Sequence, residues 1–219
     1  MCGRLNIYDP EKIDIFLQEL GLPSYPATPP QYNVPPQYNV PPQSLLPIIT
    51  TPITRLEGQW GIEFGKFRHP NSKAATIKAK PHLQELLLHH RCLVPANRFY
   101  EWPDPKARPA YKGVKTRFCI HTPEDVLLLA GIYKRNPEKQ LYQFNVITTD
   151  PTPAINEFHH RMPVILDPAQ AHAWLESDDK QTLYELMAPS QQDLIIYQCD
   201  PWVDNARHEG PQCMAALQH

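Results

Sequence analysis

The chain has 219 residues, about the size of one large domain or two small ones, and long enough to bury a real core. Its 42% apolar and 20% charged composition, with a net charge of −2, excludes wholesale disorder and excludes a globally basic nucleic-acid binder. Proline is the outlier: 26 prolines stand against 8 glycines, so many turns use a fixed φ, and neither a dinucleotide fingerprint nor a glycine-rich phosphate loop occurs. The five cysteines (Cys2, Cys92, Cys119, Cys199, Cys213) are odd in number, dispersed and without CxxC spacing, which fits a reducing cytosol rather than a disulfide framework or a zinc site. No run approaches a membrane span. The first twenty residues carry Asp9, Glu11, Asp14 and Glu19 where a signal peptide would need an apolar stretch, so a cytoplasmic location is expected.

In chain order, residues 1–8 lead into a helix. Asp9 can cap it, Pro10 suits its first turn and Gly21 stops it, with Ile13, Phe16, Leu17 and Leu20 on the buried face. Residues 22–44 read as a proline-rich loop that contains PPQYNV twice, at 29–34 and 35–40, with a third PPQ at 41–43; nine of the prolines lie in residues 23–47. Strands are expected at Leu45–Thr50, Cys92–Trp102, Arg117–His121, Val126–Tyr133, Tyr142–Thr149, Val164–Leu166 and Leu194–Cys199. Helices are expected at Pro81–His90, after Asp167-Pro168 with Gln170, and at Thr182–Met187. Strands predominate without regular helix alternation. The expected fold is therefore α+β, one domain over 1–219, with a largely antiparallel, barrel-like β core and flanking helices.

Cys2 is the unusual position for chemistry. Removal of Met1 would leave an amine and a thiol on adjacent carbons, with ordinary pKa values of roughly 8 and 8.5, so that both reactive forms exist near neutrality. Such a 1,2-aminothiol condenses with an aldehyde to an imine, which the thiol then closes to a thiazolidine. The same group can act as an N-terminal nucleophile in amide hydrolysis. A third reading is a small apolar side chain near a chain end.

The segments MCGR at 1–4, YNVPP at 38–42, WG at 60–61, NSKAAT at 71–76, RCLVPANRFYEW at 91–102, LLLAGIY at 127–133, FHHRMPVIL at 158–166 and VDNARHEGPQC at 203–213 occur in this order. Together they resemble the SRAP family, the abasic-site-processing proteins formerly described as SOS-response-associated peptidases. The resemblance runs from residue 2 to about 213. It implies that Cys2 forms a thiazolidine with the ring-opened sugar of an abasic site in single-stranded DNA. It also implies that Glu101 shuttles protons during ring opening and dehydration, and that His159 protonates the sugar oxygen. The family commonly has Asp after this histidine, where the chain has His160.

Aligned on the family's N-A-R-x-E-T motif, Asn71 takes the asparagine and orients the amine, Lys73 replaces the arginine as a phosphate contact without its bidentate fork, and Ala75 replaces the glutamate. Aligning Thr76–Lys80 instead would lose the asparagine. Between Trp60 and Asn71 the chain lacks the usual P-x-W, leaving Phe64 and Phe67 as the nearest aromatics. Of the duplicated YNV, the second copy, with Asn39, is assigned the family role at the DNA. Arg4 and Arg161 are further candidate phosphate contacts. The resemblance implies no metal and no cofactor, and a monomer whose partner is single-stranded DNA containing abasic sites, with no membrane. The alternatives are a cysteine peptidase that processes its own N-terminus and a DNA-binding module that has lost the chemistry.

Overall fold

The computed structural model describes residues 3–23, 36–106, 108–113 and 115–217. Cys2 and the first PPQYNV copy lie outside them. The first half of the chain runs β1 (Arg4–Ile7), α1 (Pro10–Glu19), β2 (Gln37–Val40), β3 (Leu45–Thr50), β4 (Thr54–Trp60), a hairpin of β5 (Ile62–Phe64) and β6 (Phe67–His69), β7 (Asn71–Lys73), α2 (Ala74–Ala79) and α3 (Pro81–His89). It continues with β8 (Arg91–Ala96), β9 (Arg98–Glu101), β10 (Phe118–His121), β11 (Leu127–Asn136), β12 (Leu141–Thr149), α4 (Pro153–Asn156), β13 (Met162–Pro163), β14 (Ile165–Leu166), α5 (Pro168–Glu176), α6 (Lys180–Leu186) and β15 (Ile195–Gln198).

Five strands close on themselves in the order β12-β4-β3-β8-β11, with β11 pairing back onto β12. This is the expected barrel, and its pairs are antiparallel except β12–β4; β7 adds a second parallel pair on β12. Every residue of β8 is buried, as a strand lining a closed barrel requires. A second, antiparallel sheet runs β15-β10-β9-β1-β2. The two are joined by the direct run from β8 into β9, which breaks at Asn97. There the Asn97 side chain donates to the Asp125 carbonyl at 3.0 Å and accepts from the Asp9 backbone N–H at 3.0 Å.

Local signals account for the helices. Asp9 Oδ1 accepts from the Lys12 N–H at 2.9 Å and caps α1, whose Ile13 and Leu17 are buried. Asp167 and Gln170 form a full capping box on α5. No helix among the described residues is long and apolar enough to cross a membrane.

The structure corrects three expectations. Residues 1–8 are not merely a lead-in: β1 is an internal strand of the second sheet, between β9 and β2. The loop assigned to 22–44 contains β2, formed by the second hexamer copy, because Tyr38 to Val40 find a partner strand in β1. The single strand expected over 92–102 is two, one in each sheet. The strand β4 and helix α2 carry too weak a pattern to be seen in the sequence.

One barrel position admits only glycine. A Cβ at Gly131 would lie 2.7 Å from the Asn145 carbonyl oxygen and 2.8 Å from Cys92 Sγ, and the first of these belongs to a paired strand that cannot shift alone. Gly131→Ala should therefore lower unfolding stability by roughly 1–3 kcal/mol, read as a reduced urea midpoint. An unchanged midpoint would show that the barrel can widen at this point.

Candidate active site

Glu101 and His159 reach one point from opposite sides. Glu101 ends β9, where its backbone is held in register with Phe118 of β10. His159 follows α4: Pro153 sets the first turn, and the His159 N–H closes a tight turn onto the Ile155 carbonyl at 2.8 Å. Phe158 stacks on Phe118 at 4.0 Å, and its carbonyl accepts from the Asp104 N–H at 3.2 Å, so the turn is clamped to the strand next to β9.

His159 Nε2 lies 3.7 Å from Glu101 Oε1, and both side chains are buried. That separation is too long for a direct hydrogen bond. Glu101 Oε1 accepts from the Trp102 N–H at 3.2 Å. Burial pushes the Glu101 carboxyl up to about 7 and pulls the His159 imidazole down to about 4. Near neutrality the site thus holds a carboxylic acid that can give a proton beside an uncharged imidazole that can take one. The other ring nitrogen, Nδ1, lies 2.8 Å from the Arg161 carbonyl and 3.2 Å from the Arg161 backbone nitrogen, so the Arg161 backbone holds the ring with Nε2 toward Glu101.

His160 stands beside this pair, its ring 4.6 Å from that of His159 and its Nδ1 3.1 Å from Asp104 Oδ2. Burial lowers its pKa, opposed by Asp104. Asp104 escaped sequence reasoning although it lies three residues beyond Glu101, because nothing local marks a loop carboxylate as a histidine partner.

The N-terminal strand arrives at the same place. β1 pairs antiparallel with β9, Arg4 opposite Tyr100, and the register continued by one residue sets Gly3 opposite Glu101. Arg4 stacks its guanidinium over Trp102 at 5.7 Å and donates to Asn39 Oδ1 at 2.7 Å and to the Val203 carbonyl at 3.1 Å. Asn39, expected at the DNA, is fully buried: its amide donates to the carbonyls of Val203, Asn205 and His208 at 3.2, 2.9 and 3.1 Å. Every polar atom of that side chain is spent inside the protein. Asn39 therefore positions Arg4 and the 203–208 segment, and a direct strand contact is not available to it. Trp102, whose Nε1 donates to Asp204 Oδ1 at 2.9 Å, is the further member of this group; it lay within the FYEW motif, but only the fold shows what it touches.

Asn71 and Lys73 lie on β7 against β12, with Lys73 opposite Thr148; Pro163 of β13 pairs with the same Thr148 from the other flank. The 71–73 and 159–163 segments therefore approach one strand end from two sides. Arg161 donates through Nη2 to the Thr148 carbonyl at 3.0 Å and is buried, and a cleft joins it to Lys73. The site residues thus fall into three groups: Glu101 with His159, Arg4 with Asn39 and Trp102, and Lys73 with Arg161. Among the described residues no three His, Cys, Asp or Glu side chains converge as a metal-ligand set.

A closed barrel with a buried acid–base pair at the end of its companion sheet defines the class of protein. The sequence profile described as SOS response associated peptidase (SRAP) matches residues 1–206, and the chain belongs to that family. It is 29% identical over 232 residues to the abasic site processing protein YoqW of Bacillus subtilis, covering 97% of this chain and 98% of that one. It is 28% identical to YoaM of the same organism, named likewise, over the full length of both. The chicken abasic site processing protein HMCES matches at 26% identity over 70% of this chain and 52% of its own. Among solved structures, a protein from Bacteroides thetaiotaomicron superposes with a TM-score of 0.79 at 24% identity, covering 99% of this chain and all of that one, which shows a shared fold.

Proposed function

We propose that this protein captures abasic sites in single-stranded DNA as a thiazolidine on Cys2, exposed by removal of Met1. The observation that carries the reading is the Glu101–His159 pair, an acid beside a base, buried at the point toward which β1 leads the chain's start. The names of the relatives support the substrate. In the reaction the α-amine of Cys2 adds to C1′ of the ring-opened sugar aldehyde. Glu101 gives the proton that lets the hydroxyl of the carbinolamine leave as water, which forms the imine. The Cys2 thiol then adds to the imine carbon, forming the S–C bond, and its proton passes to the nitrogen. One water is lost overall and nothing is oxidised or reduced. On ring opening the neutral His159 takes the proton of the C1′ hydroxyl while Glu101 gives one to the ring oxygen; return of the proton from His159 to Glu101 restores the pair, and the same transfers run backwards serve reversal. Asn71 orients the amine, while Arg4, Lys73 and Arg161 supply positive charge for the strand's phosphates against a slightly acidic whole.

The test is incubation with single-stranded DNA bearing one abasic site. A heat-stable adduct that maps to Cys2, and that disappears in Cys2→Ala and when the amine is blocked, is expected. Mass spectrometry showing Met1 retained on active protein would sink the reading. Unaltered DNA affinity without an adduct would replace it by a binding module, and cleavage of the protein's own N-terminal segment by a peptidase.

A further inference from the structure

The histidine that follows His159 takes no part in the reaction above, yet it is held in a definite place. The His160 ring lies 4.6 Å from that of His159, tilted by 32°, and its Nδ1 lies 3.1 Å from Asp104 Oδ2. Asp104 is anchored in turn, because its N–H donates to the Phe158 carbonyl at 3.2 Å. Carboxylate and imidazole are thus tied to the same turn that carries His159. The two rings differ in their access to water: the His160 side chain is 43% exposed and that of His159 only 5%. A positive charge is therefore better solvated on His160.

A charge on either ring bears on the other. Two positive charges 4.6 Å apart oppose each other by roughly one to two pH units in a half-exposed setting. The pair accepts one proton readily and a second reluctantly. Burial and the chain's amino group lower both rings, and His159, which also faces the His160 charge, falls to about 4. Asp104 opposes the fall of both and touches His160 directly, while Arg161 and Lys73 work against a charge on His160. Lys78, Asp150 and Glu185 are the other charged groups of the cleft that His160 borders. Glu101, which faces His159 from β9, is uncharged below about 7.

We propose that His160, held by Asp104, is a positioning residue for the reaction: its imidazolium charge, seated against the His159 ring, keeps that ring uncharged and able to act as a base in mildly acidic conditions. The proposal rests on the capture reading above and deepens it, since His159 takes a proton in that reaction only while uncharged. His160 touches none of the reacting atoms and acts through its neighbour alone. A carboxylate in its place would do the opposite and draw a proton onto His159.

The experiment follows the His159 ring by NMR titration of the intact protein without DNA, its signal assigned by its loss in His159→Gln. His160→Asn removes the charge and keeps a donor for Asp104, and it should raise the pH at which His159 titrates by about one unit. His160→Asp should raise it further. Asp104→Asn should lower the pH at which His160 itself titrates. In the two His160 variants the acid limb of adduct formation on abasic single-stranded DNA should move up with the His159 titration. A merely structural role would slow capture alike at every pH and leave that titration in place. Circular dichroism checks the fold, and His160→Asn alone decides the matter if His160→Asp does not fold.

An unmoved His159 titration in His160→Asn, or a downward move in His160→Asp, would overturn the proposal. So would an acid limb of capture that stays in place while the titration moves. If the titration moves as expected and no adduct forms at any pH, the tuning of His159 stands and the capture reading falls.

Discussion

Glu101→Gln should slow adduct formation on abasic single-stranded DNA by about 10²–10⁴-fold, the range usual for losing a positioned proton donor. The amide keeps the shape of the side chain and can still accept from the Trp102 N–H, so the loss falls on proton transfer rather than on assembly of the site. A rate within threefold of wild type would remove Glu101 from the reaction. The same variant carries a second, independent signature in stability against pH. For the carboxyl, a pKa raised from 4.5 to about 7 means that its contribution is fully present below 4.5 and is lost as pH rises through 7. For the imidazole, a pKa lowered from 6.5 to about 4 means the reverse: its contribution is present above 6.5 and is lost as pH falls toward 4.

Between pH 4.5 and 6.5 the folded pair therefore holds one proton on Glu101 while the unfolded chain holds one on His159. Proton uptake is balanced, and wild-type stability from this pair should be flat across that window. Glu101→Gln unmasks the histidine. Its stability should fall by about 3 kcal/mol as pH drops from 6.5 to 4, measured by urea unfolding at stepped pH. His159→Gln should show the opposite slope, losing stability as pH rises from 4.5 to 7. Parallel profiles for the two variants would mean that the groups do not hold opposite preferences.

Arg91→Met should lower stability by about 3–5 kcal/mol, since several buried carbonyls lose their donor at roughly 1–3 kcal/mol each. Arg91 is fully buried at the start of β8 and closes two helices at once. Its Nη1 donates to the Leu87 and Leu88 carbonyls at the end of α3, at 2.8 and 2.6 Å; its Nε and Nη2 donate to the Trp174 and Ser177 carbonyls at the end of α5, at 2.5 and 2.8 Å. Last-turn carbonyls lack partners within their own helix and carry the negative end of its dipole, so one guanidinium satisfies both ends and is itself solvated by them. Methionine fills the volume but leaves these carbonyls buried without donors. Arg91→Lys should recover less than half of the loss, since a point ammonium cannot fork between two helices. A midpoint shift worth less than about 1 kcal/mol in Arg91→Met would mean that water reaches the carbonyls instead.

Much of the architecture was legible because it depends on local chemistry. The Asp9 cap, the Asp167–Gln170 box and the apolar runs at Leu45–Thr50, Leu127–Tyr133 and Tyr142–Thr149 stand in the sequence as they stand in the fold. What escaped was long-range. The parallel pairing of Tyr142–Phe144 with Gly58–Trp60 closes the barrel across more than eighty residues and leaves no mark on either segment. Of the site, Glu101 and His159 each lay in a motif specific enough to single out, and the fold brings them together. Asn39 shows the limit of motif reading: the pattern singles out the position, yet burial and three donated hydrogen bonds make it a positioning residue. Arg91 sat in the same motif as Glu101, and only two helix ends, eighty-odd residues apart in sequence, reveal why arginine stands there.

The internal position of β1 has a mechanical meaning. A strand bonded along both edges, to β9 on one side and β2 on the other, and loaded along its own axis must break its hydrogen bonds together in shear rather than one after another by peeling. In the proposed reaction any machine that pulls on the captured DNA strand loads this segment. The protein would then resist extraction through the geometry of its first strand, and removal of the adduct would have to proceed by chemistry or by proteolysis begun elsewhere in the fold.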